Sequence, residues 1–143
     1  MADLFSRILC PIDFSPNSVA ALEIARQMGV RSKGALILLY VVPQPIEVGQ
    51  PILLEPIPGM DPVEKLKTLA ISKLNGTIPY EIDVVMGDAA SEIIDAVGRH
   101  HCDAVVMATH GRTGLKHLFL GSVAERVVRE SAAPVLTIRS NVE

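Results

Sequence analysis

Tryptophan is absent from this sequence, and two tyrosines and three phenylalanines are its whole aromatic content in 143 residues. The core must therefore be built from valine, isoleucine, leucine and alanine, which the 49% hydrophobic composition supplies. Only two cysteines occur, Cys10 and Cys102, each in or beside an apolar run and neither in a CxxC pair. That excludes a disulfide framework and predicts buried, reduced thiols. Long apolar runs are missing as well: the longest, Ala35 to Val42, is far too short to span a bilayer. The opening MADLFSRILCP carries Asp3 and Arg7 and no apolar h-region, so it does not read as a secretory signal. Nor is there an excess of one charge. Thirteen Lys and Arg against sixteen Asp and Glu leave a net charge of −3, without charge blocks or internal repeats. Nucleic-acid and membrane partners are not expected. A soluble, cytoplasmic chain is expected, with residues 1–143 forming one domain.

What is present is organised as alternating strands and helices. The runs RILCPI, ALILLYVV, DAVVMA and PVLTIR are continuous and rich in β-branched residues. Strands read this way when helices cover both faces of a parallel sheet. YEIDVVM alternates instead, with Tyr80, Ile82 and Val84 on one face, and reads as a half-exposed edge strand. Ser15-Pro16 predicts an N-cap followed by proline at N1. Val19, Leu22, Ala25 and Met28 follow at helical spacing, and Gly29 is the expected stop. Asp61-Pro62 repeats the signal ahead of Val63, Leu66, Ala70 and Leu74, with an Asn75-Gly76 exit. Asp88 is expected to cap a third helix, with Ile93, Ile94 and Val97 inward and its end near Gly98. Ser122 opens a fourth, with Val123, Val127 and Val128 inward. The methionines 28, 60, 86 and 107 read as core fillers.

This order predicts a doubly wound α/β sheet with helices on both faces. In such sheets ligands bind at the carboxyl ends of the strands, where the winding reverses. Under the order 3-2-1-4-5 that crevice lies between strands one and four, bounded by Asp13 and the Met107–Gly111 segment. One stretch breaks the pattern. Residues 43–60 hold five of the ten prolines, too many for a helix and too long a run for an ordinary connection. Its apolar residues leave two readings: it folds onto its own domain, or it covers a ligand or partner.

The segment MATHGRTGLKHLFLGS concentrates Gly111, Gly114 and Gly121 with Arg112, Lys116 and two histidines. It is neither a Walker loop nor a dinucleotide GxGxxG fingerprint. It remains suited to phosphate: glycine lets backbone approach a ligand, and Gly121-Ser122 opens a helix whose first N–H groups point outward. Arg112, Lys116, His110 and His117 add positive potential. The competing reading makes Ser122 to Glu125 a capping box serving its own helix, and the glycines mere turns. Spacing alone leaves both open.

At this point the residues carry a family resemblance. MATHGRTGLKHLFLGSVAERVVRESAAPVLTIR closely resembles the C-terminal signature of the universal stress protein family. Nucleotide-binding members of that family carry a G-x2-G-x9-G-[S/T] pattern. Here nine residues separate Gly111 from Gly121-Ser122, and Ala108 stands where the pattern has its first glycine. RILCPIDFSPNS, ALILLYVV and VVMGDAASEIIDAV resemble earlier elements of the same family.

The resemblance implies a Rossmann-like, adenine nucleotide alpha hydrolase-like fold. Its sheet would be a doubly wound five-stranded parallel one in the order 3-2-1-4-5, usually in a homodimer. It implies ATP binding in one branch and none in another. Carried over by position, Pro11, Ile12 and Asp13 would face the adenosine, and Val41 would meet the adenine through its backbone. Met107 and Ala108 would line the sugar side, and Gly111, Arg112, Gly121, Ser122 and Val123 would surround the phosphates. Asp13 fits such a site by accepting from ribose hydroxyls or by reaching the phosphates through Mg²⁺, and otherwise serves as a turn carboxylate.

HHCD, residues 100–103, fits no zinc spacing. No serine sits on a nucleophile elbow. The expected role is therefore an ATP-binding stress-response module or switch, with slow hydrolysis at most. The alternative is a nucleotide-free dimeric interaction protein that recruits partners through the proline-rich segment. Pro134 to Arg139 forms an apolar edge under the expected order, and a homodimer through it is predicted.

Overall fold

The computed structural model describes residues 4–44, 61–110 and 120–139. Along them run β1 (Arg7–Pro11), α1 (Pro16–Ser32), β2 (Ala35–Pro43), α2 (Pro62–Leu74), β3 (Tyr80–Gly87), α3 (Ala89–Arg99), β4 (Ala104–Ala108), α4 (Ser122–Glu130) and β5 (Val135–Ile138). The strands pair in parallel in the order β3-β2-β1-β4-β5, as expected.

The sheet separates two apolar layers. Ile8, Cys10, Leu36, Leu38 and Val106 pack on one face against Leu22 and Ala25 of α1 and Leu66, Ala70 and Leu74 of α2. Leu9, Ile37, Leu39, Val105 and Met107 pack on the other against Ile93 and Val97 of α3 and Ala124 and Val127 of α4. Successive side chains of a strand point to opposite faces, so a strand covered on both sides is apolar at every position. Leu36 to Leu39 on β2 are all buried for this reason. On β3, at the edge, Ile82 and Val84 pack inward as expected, while Glu81 is exposed.

Several sequence expectations need correction. α1 does not stop at Gly29; it continues to Ser32, and Lys33 closes it in the left-handed region with φ 57°. Gly29 lies buried inside the helix, where a Cβ would collide with Ile78 Cδ1. Its small size suits the close approach of α1 to Ile78. On α4 Val127 and Ala124 are buried and Val123 packs against the core, while Val128 is 45% exposed. Val63 likewise points partly outward, leaving Leu66, Ala70 and Leu74 as the buried stripe of α2. Met28 and Met107 do join the core, whereas Met86 is 63% exposed at the end of β3. Met60 lies outside the described residues.

Both cysteines are free and buried. Burial pushes the Cys10 thiol up to about 12 and is the main cause of the rise of Cys102 to about 11. His100 closes α3, and its Nε2 lies 2.7 Å from Asp83 Oδ2 on β3. Arg99 donates to the same oxygen at 2.8 Å. The HHCD stretch thus ties a helix end to the edge strand, and among the described residues no cluster of His, Cys, Asp and Glu is arranged to hold a metal ion. Among the same residues, no helix is long and apolar enough to cross a membrane.

Candidate functional site

The centre of the sheet opens where β1 and β4 part. β1 stays in register with β2 as far as Pro11↔Leu39, and β4 stays with β5 as far as Ala108↔Ile138. Between β1 and β4 only Ile8↔Ala104 and Leu9↔Val105 pair. Pro11 offers a chemical reason. The N–H of Ile12 points to β2 and reaches Leu39 O at 2.8 Å. The neighbouring position, Pro11, therefore turns toward β4, and proline has no N–H to give. The ladder ends and a cleft of about 370 Å³ opens at the carboxyl ends of the strands. Such a volume is typical of a small-molecule site, and its position is the switch point of the winding.

The cleft has two kinds of wall. Leu39, Val41, Ile93, Met107 and Ala124 make it apolar on the α3 and α4 side. Asp13, Ser18, Thr109, His110 and Ser122 supply the polar groups. Two helices present their N-termini nearby, and they are finished differently. At α1 the Ser15 hydroxyl accepts the N–H of Ser18 at 3.1 Å, so the helix caps itself. At α4 the N-cap is Gly121, with no side-chain cap. Its first internal bond is Glu125 N–H to Gly121 O at 2.9 Å. Among the described residues none accepts from the N–H groups of Ser122, Val123 or Ala124. The capping-box alternative is thereby corrected: Ser122 is the first residue inside the helix, one place too late for its hydroxyl to cap it. Open amides with the positive end of the helix dipole favour an anion.

Asp13 belongs to a tight turn. Its Oδ1 accepts from the backbone N–H of Ser15 at 2.9 Å and from the Ser15 hydroxyl, while its own N–H donates to Ser18 Oγ at 3.3 Å. The turn reading of Asp13 is thus borne out, and the same residue also lines the cleft. Next to it Phe14 adopts φ 63°, a left-handed conformation that costs a bulky residue about 1–2 kcal/mol.

Of the residues singled out from sequence, Pro11, Ile12, Asp13, Val41, Met107, Ala108, Gly121, Ser122 and Val123 all line this cleft. Gly111, Arg112, Gly114, Lys116 and His117 lie outside the described residues, as does 45–60. Ala108 sits in β4 paired with Ile138 and is not among the residues with positive φ, so this backbone position accepts an alanine without strain. Ser18, Tyr40, Thr109, Ala89 and Ile93 also line the cleft and were not anticipated. Ser18 and Thr109 are buried polar residues inside otherwise ordinary helix and strand patterns, which hide their role. The His110 ring shares its Nδ1 with Thr109 Oγ1 at 3.1 Å, while its Nε2 and Asn17 Oδ1 are buried without hydrogen-bond partners among the described residues.

Comparison with known proteins agrees with this fold. The model of the universal stress protein family matches residues 4–139. The chain is 29% identical over 142 residues to the universal stress protein MJ0531 of Methanocaldococcus jannaschii, spanning 96% of this chain and 84% of that one. It is 28% identical over 158 aligned positions to MJ0577 of the same organism, spanning 97% and 98% of the two chains. The solved structure of MJ0577 matches with a TM-score of 0.74 at 25% identity, over 98% of this chain and 99% of that one. A universal stress protein solved in complex with cAMP matches with a TM-score of 0.71 over 94% and 97% of the two chains. Its identity of 20% makes that likeness one of fold.

Proposed function

The chain belongs to the universal stress protein family, and we propose that it is a cytoplasmic, ATP-binding member acting as a stress-response module or switch. The observation that carries this reading is the open N-terminus of α4 at the mouth of the cleft. Three consecutive N–H groups, those of Ser122, Val123 and Ala124, have no acceptor among the described residues. Beside them Gly121 has no side chain to fill the space, and a Cβ there would press on Thr109 O. A phosphate tail fits such a cradle. The apolar wall of Val41, Leu39 and Met107 suits a purine, and Asp13 suits a ribose. One protein of the same fold has been solved with cAMP, an adenine nucleotide.

Among the described lining residues Asp13 is the only carboxylate. Mg²⁺ would therefore be held chiefly by phosphate oxygens, with Asp13 as the one protein carboxylate, and would neutralise phosphate charge there. The side chains at hand bind and orient; the reading includes slow hydrolysis at most. Gly111 and Arg112 enter it as further phosphate contacts. The active form is taken to be a homodimer through Pro134 to Arg139. Supporting this, Leu136 is 43% exposed on β5 at the sheet edge, with Val128 exposed on the preceding helix.

The test is to denature freshly purified protein and chromatograph what it releases. Adenine nucleotide near one per chain is expected. Mg-ATP at a hundredfold excess over Kd should also raise the melting temperature by about 5–10 °C. No nucleotide released and no thermal shift would overturn the reading in favour of a nucleotide-free interaction protein.

A further inference from the structure

We propose that Phe14 is a positioning residue for the cleft: its ring, seated between Tyr40 and Lys65, holds the Asp13 turn in a left-handed setting that presents Asp13 to the ligand. The inference rests on the nucleotide-binding reading above. Phe14 follows Asp13 directly and carries φ 63°. A bulky residue keeps such a backbone only when its surroundings over-determine it, and conformations of this kind gather at ligand sites.

The surroundings are specific. The Phe14 ring meets Tyr40 edge-on, with centroids 4.9 Å apart and planes at 61°. Lys65 Nζ lies 4.5 Å from the ring centroid. An edge-to-face aromatic pair and a cation over the Phe14 ring are both favourable contacts. The three residues come from the β1–α1 turn, β2 and α2, so the turn is clamped to two elements at once. Tyr40 itself lines the cleft. The chain spends a strained backbone and two of its few aromatic residues on this one turn. A glycine at position 14 would allow the same φ at no cost and would need no clamp. What the ring adds is enforcement. It removes the freedom of the turn that sets where Asp13 lies relative to the ribose position. Lys65 makes α2 part of that setting.

The test uses the full chain and the variants Phe14→Gly, Phe14→Tyr, Lys65→Met and Lys65→Arg, with ATP and 2′-deoxy-ATP affinities measured by calorimetry. If Asp13 is set to accept from ribose hydroxyls, Phe14→Gly should weaken ATP about tenfold and leave 2′-deoxy-ATP nearly unchanged, collapsing the preference between them. Lys65→Met should move in the same direction by about threefold. Phe14→Tyr and Lys65→Arg should restore wild-type preference. Equal loss for both nucleotides would mark a merely structural role and overturn the proposal, as would an unchanged preference in Phe14→Gly.

A readout without nucleotide separates this proposal from the binding reading. In the free protein the Ser15 amide, which donates to Asp13 Oδ1, should exchange with solvent faster in Phe14→Gly than in wild type. Should wild type bind no nucleotide, faster exchange would still support the clamp, and unchanged exchange would refute it.

Discussion

The N–H of Gly121 donates to Thr109 O at 2.8 Å, and a Cβ on Gly121 would lie 3.3 Å from the same oxygen. The end of β4 and the start of α4 are thus joined by a hydrogen bond, and a side chain at Gly121 would have to crowd the same carbonyl. Gly121 has φ −69°, so tight packing rather than backbone freedom favours glycine here.

A carboxylate at this position would stand where phosphate is proposed to sit. Gly121→Glu should weaken Mg-ATP about a hundredfold or more, because like charges repel strongly in a partly desolvated cleft. Negative charge near a helix N-terminus stabilises the helix and offsets part of the crowding. The melting temperature should fall by only about 2–4 °C. Calorimetry and thermal unfolding check the two effects separately, and light scattering should find the dimer intact.

The proposed dimer has its own probe. Leu136 is 43% exposed on β5 at the sheet edge and does not line the cleft. If a second copy covers it, Leu136→Glu buries an unpaired charge and should leave a monomer at micromolar concentration. ATP affinity should stay within about threefold, since separated sites act independently. A wild-type monomer by light scattering would refute the dimer.

Gly29 and Ile78 form a tightly packed pair in which a methyl on one collides with the Cδ1 of the other. Gly29→Val should destabilise by about 1–3 kcal/mol through overpacking. Gly29→Ala gains helix propensity of about 1 kcal/mol and loses a similar amount to the clash, so its net effect should be near zero. Adding Ile78→Val, which removes the offending Cδ1, should make the double variant more stable than the sum of the two singles. Urea denaturation of the four proteins reads this coupling.

Asp83 links acid stability to the edge strand. Burial alone would raise its pKa, but hydrogen bonds from His100 and Arg99 outweigh it and hold the carboxyl below its ordinary 3.8. A depressed folded value contributes stability above the unfolded pKa, lost as pH falls through the folded one. Asp83→Asn should therefore cost about 1–2 kcal/mol at pH 7. The difference from wild type should shrink on acidification below pH 3.8. Denaturant unfolding at neutral pH and at pH 3 tests the sign.

Some of this was legible because it depends on local pattern. The β2 run ALILLYVV has no polar position, and a strand with no polar position must be covered on both sides. The Ser15 and Asp61 caps with prolines behind them read correctly, since a cap bonds within one turn of chain. The candidate cleft was legible as far as its residues cluster at strand ends. Gly29 was misread as a stop because Ile78, against which it packs closely, lies forty-nine residues away in sequence. Whether Ser122 capped its own helix stayed open in the sequence for a related reason: Gly121, bonded to Thr109, takes that place.

The succession of elements, the two-sided burial of the central strands and the family are properties of the sequence by itself, because periodicity and local capping are written in neighbouring residues. Tertiary structure alone decided where β1 and β4 part and that, among the described residues, none accepts from the α4 amides beside Gly121. It also decided that Phe14 is held left-handed between Tyr40 and Lys65. Each of these depends on groups brought together from distant parts of the chain, whose meeting no local pattern encodes.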